Sequence, residues 1–184
     1  PSPPEDRAER LAHDLRETHL LLGQKEVQMA TLYETGLSLG ASLQIEDVIG
    51  QILPLAVAMV NARSGFLFLK DERTGHFILK QDTNPNDAQR QLLGAGSMRT
   101  KLRRVIQKDA PLYLGPEDLP PELESQHMLV VAVDRVGFIG MVDKEIRQGV
   151  EGFKEEDGHL LHMVAQMAGT ALANAHLYRD VMAE

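Results

Sequence analysis

The segment from residue 128 onward constrains the fold of this chain more strongly than any other part of the sequence. Two apolar runs, residues 128–133 and 138–144, stand on either side of a short segment that ends in Gly137. Because glycine tolerates the backbone angles of a tight turn, the two runs are predicted to pair as an antiparallel hairpin. A loop follows, and the proline-free remainder from residue 154 onward predicts one long helix.

Composition allows a substantial core and excludes several kinds of site. Hydrophobic residues make up 43% of the 184 residues and tryptophan is absent, so the core must consist mainly of aliphatic and methionine side chains. The formal net charge is −8, with acidic and basic residues interspersed, so we expect no nucleic-acid partner. The absence of cysteine excludes a disulfide framework, a thiolate zinc site and a cysteine nucleophile.

The sequence contains no segment typical of export or membrane insertion. No signal peptide is recognisable, and no apolar run approaches the roughly 20 residues that a membrane-spanning helix needs. We therefore expect a cytoplasmic protein whose present segment makes no membrane contact. Since the chain begins at Pro1 rather than at methionine, we expect a fragment or a processed product with neighbouring domains.

The N-terminal part of the chain predicts a helix that pairs with another helix. Residues 5–39 contain no proline, and apolar residues recur at alternating steps of four and three, which is a heptad pattern. The stripe comprises Leu11, Leu15, Thr18, Leu22, Lys25, Met29, Leu32, Gly36 and Leu39, of which Thr18, Lys25 and Gly36 weaken the seam. An amphipathic helix packed on its own domain is the alternative.

The final helix carries a second stripe with the same alternation. Its positions are Leu160, Val164, Met167, Ala171, Asn174, Tyr178 and Val181. Small residues between positions 165 and 175 would permit the close approach of another helix. Two such helices, one at each end, predict a homodimer whose terminal helices form a bundle. The alternative is a monomer in which both helices cover one face of a sheet.

Between the terminal helices the sequence predicts mixed secondary structure. Residues 41–60 read as a second helix with a broad apolar face. The apolar run 66–70 and its partner 76–80 form a hairpin around a turn that contains glycine. A further helix is predicted at residues 100–108 and a short strand at residues 111–114.

Three stretches of this sequence resemble the GAF family, whose members are small-molecule sensor and dimerisation modules, usually parts of longer signalling proteins. They are residues 62–69 (ARSGFLFL) with the Asp-Glu and Thr-Gly pairs that follow, residues 108–113 (KDAPLY), and the hairpin and long helix after residue 128. The resemblance implies an α+β fold with a central antiparallel sheet of about six strands, helices on one face, and long N- and C-terminal helices.

The same resemblance predicts the division of the chain. Residues 1–31 would form a linker and an N-terminal signalling or coiled-coil helix. Residues 32–178 would form the GAF domain, and residues 179–184 the start of a C-terminal connector helix. A ligand pocket, where one exists, would lie on the sheet face opposite the helices, with walls from the irregular segment 81–127.

Polar residues of that segment are candidates for ligand binding. An arginine there could hold a phosphate or a carboxylate, and a tyrosine could stack on a ring. The candidates are Arg99, Arg103, Arg104, Tyr113 and His127.

Part of a pattern found in cyclic-nucleotide-binding GAF domains is also present. Lys144, Phe153 and Asp157 match it, whereas Asp143 and Gly158 stand where that pattern has asparagine and glutamate. Lys144 ends a strand and Asp157 opens a helix, so a structural ion pair between them is predicted to fix the intervening loop. No cofactor is expected. A cyclic nucleotide stays open as a ligand, and covalent bilin attachment is excluded because there is no cysteine.

Two further motifs resemble functional sites but can also be explained as ordinary surface residues. Residues 13–16 (HDLR) resemble the phospho-accepting box of histidine kinases, but Thr18 stands where that box has proline. His159 and His162 lie three positions apart on the final helix and could bind a metal with an acidic residue at 155–156, although such pairs also occur at surfaces and interfaces. No catalytic constellation is recognisable, and we expect neither a metal site nor an enzyme.

The sequence therefore predicts a GAF sensory domain of a larger cytoplasmic signalling protein. Binding of a small molecule or partner would shift the terminal helices of the homodimer and bias an attached output domain. That domain would be a diguanylate cyclase or phosphodiesterase, a histidine kinase or a transcription activator. A ligand-free GAF-type dimerisation and protein-interaction module is the alternative. A GAF-type enzyme acting on a modified amino acid is a third reading, but such enzymes rely on reactive cysteines.

Overall fold

The structure is a computed structural model that describes residues 4–41, 44–83 and 96–183. The chain divides into two compact units, Pro1–Thr35 and Gly36–Glu184. Helix α1 (Pro4–Ala41) accounts for the described part of the first unit and continues into the second. The functional division after residues 31 and 178 stays a prediction.

In the first unit, α1 leaves large apolar side chains in contact with solvent. Residues of this kind expose between 51% and 69% of their surface: Leu11, Leu15, Leu20, Leu21, Leu22, Val27 and Met29. The heptad positions Leu15, Leu22 and Met29 are among them. Amphipathic helices are stabilised mainly by burial of their apolar face, and this stripe lacks that burial.

The second unit contains a six-stranded antiparallel sheet, which confirms the predicted α+β fold. The strand order is β2-β1-β5-β4-β3, and β6 pairs with β5. In chain order the elements are α2 (Ile45–Val60), β1 (Ala62–Lys70), β2 (Phe77–Asp82), α3 (Gly96–Lys108), β3 (Leu112–Leu114), a 3-10 helix (Pro121–Leu123), β4 (Met128–Val133), β5 (Gly137–Ile146), β6 (Gly149–Glu151) and α4 (Glu155–Ala183).

The predicted β4–β5 hairpin is confirmed. Gly137 is required by strand packing as well as by the turn. The two strands pair from Met128 opposite Val142 to Val133 opposite Gly137. Gly137 also pairs with β1, where a Cβ atom would collide with the carbonyl oxygen of Phe68. The close approach of three strands therefore excludes any side chain at this position.

The central strands bury both of their faces. Phe66 and Phe68 of β1 lie in one core cluster with Met98 of α3. Leu67 and Leu69 alternate with them, are also buried, and face the side that α2 and α4 cover. Burial on both faces explains why β1 and β4 read as near-continuous apolar runs. Helix α3 thus covers the face that the resemblance assigns to a ligand pocket.

Helix α4 changes environment along its length. Its inward positions are at most 2% exposed as far as Ala175: Leu161, Val164, Ala165, Ala168, Ala171, Leu172 and Ala175. Beyond them Leu177, Val181 and Met182 are 65%, 71% and 69% exposed. The prediction that the whole stripe faces a second subunit is wrong for Val164 and Ala171, because these residues pack within their own domain.

Element ends differ from the sequence expectation in a few places. Helix α2 begins at Ile45 rather than at residue 41, and α3 begins at Gly96 rather than at residue 100. Strand β6 was not predicted, since three residues after a turn are too few to show an alternation. Among the described helices, none combines the length and the apolar character needed to cross a lipid bilayer.

Candidate functional site

The sheet face beneath α3 carries a cluster of buried apolar side chains. Phe68 stacks on Phe138 with ring centroids 5.0 Å apart, and Phe66 and Phe77 contact these rings at 5.9 and 5.5 Å. Leucine, methionine and valine side chains complete this cluster. Residues 84–95, part of the predicted wall of the ligand pocket, lie outside the described residues, so that pocket stays a prediction.

The predicted ligand-binding residues lie in three places: the three arginines on α3, Tyr113 on β3, and His127 directly before β4. Arg103 and Arg104 are exposed on α3, and the guanidinium carbon of Arg103 lies 5.9 Å from the ring centroid of Phe77. Arg99 also belongs to α3, but its side chain lies outside the described residues. Tyr113 lies on β3, away from the aromatic cluster, and lines a separate cleft.

His127 lies beside Asp143, a carboxylate that is only 1% exposed. Oδ1 of Asp143 accepts hydrogen bonds from the backbone N–H groups of Gln126 and His127 at 2.9 and 2.8 Å, and Arg63 Nη1 donates to Oδ2 at 3.4 Å. Nδ1 of His127 is buried and has no hydrogen-bond partner among the described residues. Asp143 adopts φ 49°, a left-handed conformation that aspartate tolerates better than most residues. Asp143 therefore holds the backbone of the two residues that precede β4, a role that was not predicted from the sequence.

Lys144 joins the end of β5 to the first turn of α4. Its Nζ donates to Oδ1 and Oδ2 of Asp157 at 2.8 and 3.0 Å. The backbone N–H of Lys154 donates to Oδ2 of Asp157 at 2.7 Å, so the same carboxylate caps the helix. Asp157 is 5% exposed. The structure therefore brings the two predicted partners together and closes the loop that contains β6.

A cleft of about 540 Å³, here called the α4 cleft, lies where β3 meets the first turns of α4. Its described lining residues are Asp109, Pro111, Tyr113, Phe153, Glu155, His159 and His162. The hydroxyl of Tyr113 rests on Gly158, where a Cβ atom would collide with it. Burial raises the pKa of Tyr113, and the negative charges of Glu155 and Asp157 raise it further.

A second cleft, of about 740 Å³, lies between the start of α2, the β1–β2 turn and the later turns of α4. Glu72 of that turn contacts α4 twice, with Oε1 3.1 Å from His176 Nδ1 and Oε2 3.3 Å from Arg179 Nη2. Oδ1 of Asp71 accepts hydrogen bonds from the hydroxyl and the backbone N–H of Thr74 at 2.8 and 2.7 Å. These bonds hold the pKa of Asp71 below its ordinary value and order the turn.

The histidines of the α4 cleft do not form a preformed metal site. His159 Nε2 lies 4.0 Å from Glu155 Oε1, and His162 lines the same cleft. Metal ligands must converge to about 2.0–2.2 Å from one point. Within the part of the chain that the structure describes, ligand atoms of three residues converge within 4.8 Å only on the exposed surface of α1, at His13, Asp14 and Glu17.

Comparison with solved structures finds the same architecture in several proteins. The GAF domain of a phosphoenolpyruvate-protein phosphotransferase from Coxiella burnetii superposes with a TM-score of 0.63 at 16% identity, covering 83% of this chain and 96% of that chain. The GAF domain of a protein assigned as a sensor histidine kinase from Pseudomonas syringae pv. tomato gives a TM-score of 0.66 at 15% identity, with 90% and 98% covered.

An enzyme is also among the similar structures. Free methionine-R-sulfoxide reductase from Neisseria meningitidis, determined with its substrate, gives a TM-score of 0.61 at 13% identity, covering 84% of this chain and 93% of that chain. No protein-family model and no curated protein matches this sequence. At these identities the likenesses establish a shared architecture, and the chain therefore has the fold of a GAF domain.

Proposed function

We propose that this protein is a dimeric GAF-type signalling module that relays a change in the domain, through its terminal helices, to an attached output domain. The observation that carries the proposal is the exposure of large apolar side chains on α1 and on the last turns of α4. Contiguous apolar surface of this kind marks a place where another chain binds. The heptad spacing on α1 supports a second copy of the same helix as the partner.

The seam on α1 has the residue spacing of a coiled coil. Leu15, Leu22 and Met29 recur every seven residues and are 59%, 54% and 51% exposed. Burying the exposed half of each side chain would contribute about 1 kcal/mol per residue. Thr18 and Lys25 occupy the alternate positions of the same seam. We therefore expect pairing that holds the dimer together and still allows the helices to shift.

Helix α4 supplies a continuous connection between the folded domain and its exposed end. Asp157 fixes the first turn through Lys144, and Leu177 and Val181 lie beyond the last buried position. A displacement of the first turn is therefore carried along the helix to its exposed end. Similar GAF domains come from a phosphotransferase and from a protein assigned as a sensor histidine kinase, which supports an attached output domain here.

The oligomeric state of the full chain and of two matched variants tests this proposal. Leu22→Asp places a charge in the α1 seam and is expected to give a monomer by sedimentation velocity. Leu20→Asp makes the same change two positions earlier on the same helix, where the heptad pattern points away from the seam, and is expected to stay dimeric. A monomeric parent chain, or a fully dimeric Leu22→Asp variant, would overturn the proposal.

The aromatic cluster described beneath α3 supports the form of this proposal in which that face holds no ligand. Phe68 and Phe138 occupy the space with their own rings. A ligand bound there at about a hundredfold its dissociation constant would add about 2.7 kcal/mol, or roughly 5–10 °C in melting temperature. We expect no such shift with cyclic AMP, cyclic GMP or cyclic di-GMP. A shift of that size would instead establish a small-molecule sensor of the nucleotide class.

The proposal is for a module without enzymatic activity. One similar structure is a methionine sulfoxide reductase, so this architecture does support catalysis in another protein. The present chain contains no cysteine and therefore has no thiol that could act as a reductant. Incubation with free methionine sulfoxide and a reducing agent is expected to yield no methionine above the uncatalysed rate.

A further inference from the structure

The α4 cleft presents hydrogen-bond acceptors and aromatic surface, and its described lining includes no lysine or arginine. The carboxylates of Asp109 and Glu155 only accept hydrogen bonds, whereas the imidazoles of His159 and His162 and the hydroxyl of Tyr113 can also donate. A ligand that pairs with the two carboxylates must therefore bring donors. An anionic ligand would meet two carboxylates and no lysine or arginine in this lining, which makes its desolvation costly.

The charges around the cleft also favour a cation. Asp109 directly follows α3, and its backbone N–H donates to a carbonyl of the last turn at 3.0 Å, so the negative end of the α3 dipole lies at the cleft. The positive end of α4 lies there as well. However, the first turn of α4 also contains Glu155, which lines the cleft, and Asp157, which pairs with Lys144. The two carboxylates of the lining, Asp109 and Glu155, carry more charge than a helix end, which is equivalent to about half a unit.

Two aromatic rings supply the remaining wall. Tyr113 and Phe153 line the cleft together with Pro111. The face of an aromatic ring attracts a cation placed within about 6 Å of its centre. Tyr113 is 41% exposed, so part of its ring is accessible to a ligand. Gly158 beneath the hydroxyl leaves the space that this position of the ring requires.

A metal ion suits this lining less well than an organic cation. His159 and Glu155 are 71% and 87% exposed, and their nearest ligand atoms are 4.0 Å apart without a convergent third ligand among the described residues. An organic cation needs no such convergence, because its donors and its apolar part can reach different walls. The cleft volume of about 540 Å³ lies within the usual range of small-molecule sites.

We propose that the α4 cleft binds a small organic cation, an amine or guanidinium group attached to a flat or apolar body. Asp109 and Glu155 pair with the charge, the imidazoles accept its remaining N–H groups, and Tyr113 and Phe153 contact the apolar body. Binding itself does not depend on the proposed dimer. The effect of the ligand on signalling rests on the proposed function, since the cleft adjoins the first turn of the helix that reaches the exposed end.

A matched pair of probes tests the charge requirement. Benzylamine and benzoate carry the same ring with opposite charge, and each is titrated into the ¹⁵N-labelled full chain and followed by amide chemical shifts. We expect saturable shifts with benzylamine at residues 109–113 and 153–162, and none there with benzoate. Equal binding of the two probes, or benzylamine shifts confined to other parts of the chain, would overturn the proposal. Agmatine in place of benzylamine tests the guanidinium group in the same way.

Variants of the lining test which residues carry the binding. Asp109→Asn with Glu155→Gln removes both charges at nearly constant volume and is expected to weaken benzylamine binding about tenfold. Glu156→Gln, in the same helical turn but outside the lining, is expected to leave it unchanged. Tyr113→Leu should weaken binding about threefold, whereas Tyr113→Phe, which keeps the ring, should retain it. Equal losses in the double variant and in Glu156→Gln would show general charge attraction and overturn the site.

Two further titrations separate this proposal from its alternatives. In the Leu22→Asp variant, benzylamine is expected to bind as in the parent chain, because the cleft lies within one subunit. Loss of benzylamine binding in the Leu22→Asp variant would indicate a site at a subunit interface and would overturn the present assignment. With Zn²⁺, shifts at His159 and His162 together with no response to any amine would identify a metal site instead.

Discussion

The two parts of α4 show how one heptad-like pattern can continue from a buried environment into an exposed one. Up to Ala175 the inward positions are at most 2% exposed and many of them are alanine, which lets the helix lie close to the sheet and to α2. Beyond that point the apolar residues are large, and Leu177, Val181 and Met182 are 65–71% exposed. Residue size therefore separates the part of the helix that belongs to its own domain from the part that is free to meet a partner.

The largest effect is expected from a charge in the buried part. Val164 is 0% exposed, and Val164→Asp would place a carboxylate in the core without a partner. We expect a loss of about 4 kcal/mol or more in the free energy of unfolding. Urea unfolding followed by circular dichroism measures this loss. A variant as stable as the parent chain would contradict the assignment of this part of α4 to the core.

A smaller loss is expected where the buried part begins. Asp157→Ala removes both hydrogen bonds to Lys144 Nζ and the cap on the Lys154 N–H, and should cost about 2–3 kcal/mol. Glu156→Ala, an exposed position in the same turn, is the control and should stay within about 0.5 kcal/mol. The same urea titration applies. If both variants lost the same stability, the ion pair would have no special role at this junction.

A charge in the exposed part of α4 should change self-association and leave the free energy of unfolding nearly unchanged. Val181→Asp adds the same charge as Val164→Asp at a position that is 71% exposed, so its effect on unfolding should stay within about 0.5 kcal/mol. Under the proposed dimer, it should nevertheless weaken self-association measured by sedimentation equilibrium. Asp180→Asn, a neighbouring exposed change, serves as the control. Unchanged self-association in Val181→Asp would remove the last turns of α4 from the interface.

The smallest expected effect is a change of stability at alkaline pH that is due to Tyr113, which contacts the start of α4. The pKa of Tyr113 in the folded chain is raised by burial above the ordinary value of 10.0, with Glu155 and Asp157 adding to the rise. Between the unfolded and the folded pKa, the folded state binds more protons, so stability is fully present below about pH 10 and declines above it. Melting temperatures between pH 9 and 11 should fall less steeply in Tyr113→Phe. Parallel curves for the two proteins would contradict this contribution.

Local sequence pattern predicted those parts of the fold whose contacts are also local. The β4–β5 hairpin is such a part, because its strands are apolar runs joined through a glycine-containing turn. The stripe on α4 could not be assigned in the same way, since packing on a sheet and packing on a second helix require the same spacing. Only the position of the sheet shows that Val164 is covered and that Val181 is not.

The candidate site was less predictable because it joins distant parts of the chain. Tyr113 was among the predicted ligand-binding residues, yet Glu155 and His159, which share its cleft, follow more than forty residues later. The prediction that Arg103 holds an anion stays a prediction, and its guanidinium carbon lies 5.9 Å from the ring centroid of Phe77. The sequence did not indicate a binding role for Asp109, because its position in the cleft depends on where α3 ends.

Glu72 contacts α4 at the point where the helix stops packing on its own domain. Its contacts with His176 and Arg179 coincide with the step from Ala175, which is 0% exposed, to Leu177, which is 65% exposed. The described helix continues for about 10 Å beyond this point at 1.5 Å per residue. Under the proposed relay, the β1–β2 turn would act as a pivot. A small tilt of the domain about this turn would become a sideways displacement of the helix that grows with distance, so helix length would set the amplitude of the output.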